Sequence, residues 1–164
     1  MATVTVNVAI NAKGTSIAQG VSFTFAAGLG TPTGVVSADG KIDLTKLYPS
    51  GTQVVLVFTM NTTSLQFTTG PSVGTFALNF YGQEGAPNAI WFAPEGQKPG
   101  RYSGTEFTFP ANAMGPNNNS LSVVDNNDDA KTWQYALFAW VTTGTNQGQK
   151  FEDDPRIINH PANK

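Results

Sequence analysis

The densest run of side-chain oxygen in the chain is Asp125-Asn126-Asn127-Asp128-Asp129, preceded by Asn117-Asn118-Asn119. Carboxylates and side-chain amides in a loop are the hard donors that calcium prefers. Asp125, Asn127, Asp128 and Asp129 are therefore the candidate calcium ligands. The helix–loop–helix calcium pattern itself fails. Counted from Asp125, the third and fifth positions are Asn127 and Asp129, but the sixth is Ala130 where glycine is required. The twelfth is Ala136 where glutamate is required. Two readings stay open: a calcium loop of the kind held between the loops of a sandwich, or a polar turn that satisfies its own backbone.

A second acidic run is Glu152-Asp153-Asp154. If residues 133–142 and 150–158 pair as a hairpin, Asp154 falls near Phe138, roughly 30 Å along the strand from Asp129. The two runs then do not make one site. Asp154 reads as a structural corner, and Pro155, which has no amide N–H, marks an edge strand or a bulge.

Aromatic rings are the other chemistry on offer: eleven Phe, four Tyr and three Trp. Along residues 133–142, Trp133, Tyr135, Leu137 and Ala139 share one face and Phe138 and Trp140 the other. One set fills a core; the other is solvated or covered. Trp91, Trp133, Tyr135 and Trp140 are the candidate ligand-stacking rings, suited to sugars or a partner surface. The competing expectation is that residues 82–102 pack over them.

Enzyme chemistry finds little to work with. The single histidine, His160, sits four residues from the end of the sequence, where nothing holds it against a nucleophile. Gly-x-Ser-x-Gly and the phosphate-binding Gly-x-x-x-x-Gly-Lys-Ser/Thr pattern do not occur. Gly28-Leu29-Gly30 lacks the third glycine of a dinucleotide fingerprint, and no helix follows it. Glu84, Glu95 and Glu106 could in principle form a glycosidase pair, but three scattered glutamates are a chance expectation. Zero cysteines exclude disulfides and thiolate metal sites. Only 12% of the 164 residues are charged and the net charge is −2, so there is no electrostatic footprint for nucleic acid or an anionic membrane.

The elements that position these residues are strands. Thr3 to Ile10 alternates, with Val4, Val6, Val8 and Ile10 on one face. Val21 to Phe25, Ser64 to Thr68, Thr75 to Tyr81, Glu106 to Phe109, Leu121 to Val124, Trp133 to Thr142 and Lys150 to Ile158 also read as strands. Gln53 to Met60 is nearly all apolar and predicts a central strand buried on both sides. Asp39-Gly40 predicts a tight hairpin between Val35-Val36 and Ile42. Asp43 to Tyr48 and Asp128 to Gln134 are each long enough for one helical turn. Residues 82 to about 105 predict a long irregular loop with one short strand around Ile90-Trp91-Phe92.

Together these predict one all-β domain over residues 1–159, an antiparallel β-sandwich of Ig-like or jelly-roll-like type with about 8–10 strands. A loosely ordered tail follows over residues 160–164. No basic segment followed by an apolar run opens the chain, and no apolar run approaches the roughly 20 residues of a membrane helix. A cytoplasmic location is therefore expected.

The C-terminal quarter resembles a known family. The aromatic strand Trp133-Gln134-Tyr135-Ala136-Leu137-Phe138-Ala139, a hairpin, and then Phe151-Glu152-Asp153-Asp154-Pro155-Arg156-Ile157-Ile158-Asn159 are similar to the end of the bacterial AidA/PixA inclusion-body proteins. The likeness covers residues 120–159. The best-known member type is methionine-rich, whereas this chain has three Met. The resemblance implies a β-sandwich, a cytoplasmic location and self-association, and brings no catalytic residues. A fainter likeness is to small calcium-dependent bacterial lectins, which also place an Asp/Asn-rich loop just before a strand. Their alternating acid–amide order is not reproduced here.

The expected function is accordingly a non-enzymatic sandwich that self-associates or binds a partner, without cofactor unless calcium is held at Asp125 to Asp129. Carbohydrate binding is the alternative, and a toxin-like, membrane-active sandwich a third.

Overall fold

In a strand, successive side chains point to opposite faces, so a period-two apolar pattern pays off only against a second layer. The computed structural model, which describes residues 1–47, 52–70, 73–81, 89–144 and 146–159, supplies that layer. The strands are β1 (Ala2–Ala12), β2 (Val21–Ala27), β3 (Ile42–Asp43), β4 (Val54–Met60), β5 (Ser64–Phe67) and β6 (Gly74–Phe80). They continue as β7 (Ile90–Pro94), β8 (Phe107–Thr108), β9 (Ser120–Asp125), β10 (Thr132–Val141), β11 (Lys150–Asp153) and β12 (Arg156–Ile158). Sheet one has the order β2-β1-β4-β9-β8, and sheet two the order β3-β12-β10-β6-β5, with β11 and β7 also paired to β10.

The all-β reading and the two-layer arrangement hold. Two details differ from expectation. The sheets are mixed, because β1 pairs with β4 and β12 with β3 in parallel. There are twelve strands among the described residues, because the two-residue β3 carries no readable alternation and because one predicted strand is cut in two. That cut is at Pro155. Leu137 faces Asp153 and Gln134 faces Arg156, so β11 and β12 keep one register along β10. The Tyr135 N–H donates to the Pro155 carbonyl at 2.9 Å, but proline cannot return the second bond of the pair.

The core lies between the sheets. Val4, Val6, Val8, Leu56, Phe58 and Val123 of sheet one meet Leu78, Phe80, Tyr135 and Leu137 of sheet two. The rings of Phe58 and Tyr135 lie 5.5 Å apart across the layers. Tyr135 is fully buried, and its hydroxyl donates to the Gly40 carbonyl at 2.7 Å. That bond ties β10 to the Asp39-Gly40 turn, which forms as predicted, with Val36 bridging Ile42 and Gly40 at φ 84°.

β4 departs from expectation in a way that matters below. It is central, but Val55 and Val57 on its outer face are only half-buried. Its second apolar face is only partly covered by the described residues. The helical turn predicted in 43–48 is a short 3-10 turn at Leu44–Lys46, with Tyr48 outside the described residues. No helix forms at Asp128 to Gln134: Ala130 takes φ 56° and β10 starts at Thr132. The His160 tail and Glu84 lie outside the described residues. Among the described residues no helix is long and apolar enough to cross a membrane.

Candidate functional site

Four polar side chains are buried among the described residues: Glu106, Asp125, Asn127 and Asn159. They form one cluster. β9 ends at Asp125 and delivers its carboxyl inward. The chain then turns through Asn127, held at φ 53°, so that the Asn127 N–H points back at the acids. It donates to Asp125 Oδ1 at 2.8 Å and to Glu106 Oε1 at 2.9 Å. Glu106 enters at the start of β8, where its own N–H donates to the Tyr102 hydroxyl at 2.9 Å. Asn159 arrives from the far end of β12. Its Nδ2 donates to Glu106 Oε1 at 2.7 Å and Asp125 Oδ1 at 3.1 Å, with Asp129 Oδ1 at 3.4 Å.

Burial of two neighbouring carboxyls disfavours two negative charges. Burial first, and the adjoining Glu106 carboxyl second, push Asp125 up to about 9. Burial also raises Glu106. At neutral pH the pair therefore holds one proton between its two carboxyls. Asp125 Oδ2, which faces no donor among the described residues, is satisfied when that proton bridges it to Glu106 in a hydrogen bond.

The four predicted calcium ligands part company here. Asp125 and Asn127 are buried in the cluster. Asp129 lies at its rim, accepting from Trp133 Nε1 at 3.0 Å and from the Lys131 N–H at 3.0 Å. Asp128 is exposed. Among the described residues no group of three His, Cys, Asp or Glu is arranged to hold a metal ion. The point on which Glu106, Asp125 and Asp129 converge is filled by the Asn159 amide nitrogen. Sequence reasoning missed Glu106 and Asn159 as members of this cluster. The one usable signal was that Asn159 follows a strand predicted to pair with β10, which begins beside the acidic loop. As expected, Glu152 to Asp154 lie elsewhere, although Asp154 aligns with Ala136 rather than Phe138 on the common register of β11 and β12.

The candidate rings also divide. Trp133 and Tyr135 face the core and are not available as a stacking surface. Trp133 packs edge-on to Tyr102 and Phe107 at 5.7 and 5.2 Å. Trp91 and Trp140 lie on the outer face of sheet two and are half-buried. Trp91 leans on Phe138 at 4.7 Å, and Trp140 meets Tyr81 edge-on at 5.3 Å. Neither indole N–H has an acceptor among the described residues, which is uncommon for a buried donor. Residues 82–88 are outside the described set. Of the expected covering segment, Lys98 and Pro99 wall this face, while Tyr102 turns into the aromatic core.

The outer face of sheet one has the opposite character. Across the registers, Thr3 aligns with Val55 and Val124, Thr5 with Val57 and Ser122, and Asn7 with Thr59, Ser120 and Ala26. Ala9 aligns with Thr24, and Asn11 with Ser22. The five strands contain one charged residue, Asp125, and it points inward. No family model matches the chain, and no curated protein matches it in sequence.

Proposed function

We propose that this chain is a non-enzymatic β-sandwich that assembles with copies of itself through the outer face of sheet one. One observation carries the reading: five adjacent strands present Thr, Ser, Asn, Ala and Val outward without a single charge. Surfaces that stay apart in solution normally carry interspersed charges. A charge-free face suits a symmetric partner, because a two-fold interface sets each patch against itself and a charge near the axis would meet its own sign. The half-exposed Val55 and Val57 place apolar area at its centre, and the small polar residues around them allow close approach. The likeness of residues 120–159 to inclusion-body proteins supports the same reading. Cytoplasmic storage is the setting in which such packing would operate. Membrane activity has no comparable support, since among the described residues the exposed large apolar side chains are Met1, Leu29 and Val73, none aromatic.

Sedimentation velocity from about 1 μM to about 1 mM tests it directly. The sedimentation coefficient should climb with concentration. Val57→Lys puts an ammonium in the middle of the face and should weaken association by about tenfold or more, while Val57→Thr keeps it within about twofold. A strict monomer at every concentration would overturn the assignment.

A further inference from the structure

The outer face of sheet two contains a hollow of about 180 Å³, and its origin is readable in β10. The outward residues there are Gln134, Ala136, Phe138 and Trp140. Ala136 is the small one. Trp91 stands opposite it on β7, and Phe138 is next along the strand. A methyl group between two large rings leaves a dent with aromatic sides. Tyr81 adds a third ring. The rim is polar: Lys150 and Glu152 project from β11, with Asp154 beyond them and Lys98 across the hollow. Lys150 Nζ sits 4.0 Å from the centre of the Tyr81 ring.

We propose that this hollow binds a neutral carbohydrate, one pyranose ring seated against the half-buried Trp91, with Ala136 and the largely buried Phe138 as the floor beneath it. A pyranose presents an apolar C–H face and a perimeter of hydroxyls. Each hydroxyl both donates and accepts. The aromatic walls fit the first feature. The rim fits the second: two ammonium groups donate and two carboxylates accept, with no net charge to favour an ion of either sign. A purely apolar ligand would strip water from four charges without replacing those hydrogen bonds. Asp154 also borders a neighbouring groove that contains Glu95 and Arg156, so a second sugar ring has polar groups within reach. The site lies on the opposite layer from the association face and does not depend on it.

The test is a titration of the full chain with a panel of methyl pyranosides and their disaccharides, followed by amide chemical shifts and tryptophan fluorescence. At least one sugar should shift amides at 91, 136–138 and 150–154 in a saturable way, with its disaccharide at least as tight. Ala136→Leu fills the dent and should abolish those shifts. Should that variant fail to fold, Glu152→Gln, which is exposed, keeps the question decidable. It should weaken binding by about tenfold, the worth of one charge-assisted hydrogen bond. Val57→Lys should leave binding unchanged, which separates this site from the association face. No saturable shift with any sugar overturns the proposal. So do undiminished shifts in both Ala136→Leu and Glu152→Gln, or a tighter response to adenosine than to every sugar.

Discussion

Asp125 has no exposure to solvent and lies against a second carboxyl. That arrangement makes stability depend on pH, and the sign follows from proton counting. Unfolded, the group titrates at its ordinary 3.8; folded, at about 9. Between those values the native state holds a proton that the unfolded chain has lost, so stability falls as pH rises through the window and levels off above it. Glu106 and Asp153, both raised chiefly by burial, act in the same direction. Asp39, lowered by its hydrogen bonds to Ser37 and Lys41, acts only in acid. The melting temperature should therefore drop between about pH 5 and about pH 9. Asp125→Asn, which imitates the protonated acid, should flatten most of that slope. A wild-type melting temperature that rises over this range would contradict the shared proton. The acidic run pointed to the right loop, yet its purpose was not legible. Asn159 donates to Asp125 across 34 residues and Glu106 accepts from the Asn127 N–H across 21, and only the folded chain joins them.

At the scale of elements, alternation located β1, β5 and β6 because each has one buried face, and burial is what periodicity records. The misreadings come from terms that periodicity does not contain. β4 was read as buried on both faces from its apolar content alone, although Val and Thr are also what an exposed strand favours. The helical turn after Asp128 was read from composition, but the backbone there closes through side chains. Asp129 accepts from the Lys131 N–H, and Ala130 is forced to φ 56°. A left-handed alanine costs roughly 1–2 kcal/mol relative to its preferred conformation. Ala130 is exposed, so a change there touches little else. Ala130→Gly should stabilise by about 1 kcal/mol, or about 2–4 °C in melting temperature. Ala130→Val should destabilise by at least as much. Thermal denaturation of the pair decides whether the turn is held by its side chains at a backbone cost.

For the molecule as a whole, the informative quantity is where the few charges go. Apart from Asp125, which is buried, every charged residue lies outside the strands of sheet one. They gather on the rim of sheet two and in the loops, leaving one layer faced with polar but uncharged side chains. The low charge content was plain in the sequence; its segregation required the strand order, because β1, β4 and β9 are distant in the chain and adjacent in space. This segregation predicts how association responds to salt. Ion-paired interfaces weaken as the Debye length shrinks from about 10 Å at 0.1 M to about 3 Å at 1 M. A charge-free interface has nothing to screen, and its apolar centre is strengthened by salts that are excluded from protein surfaces. The association constant should therefore hold within about twofold as sodium chloride rises from about 0.1 M to about 1 M, and should increase in sulfate. A fall of about tenfold or more in sodium chloride would mean that copies meet through the charged rim of sheet two instead. Val57→Lys should invert the pattern: its residual association should improve with salt, as screening relieves the repulsion between two ammonium groups brought together across the two-fold axis.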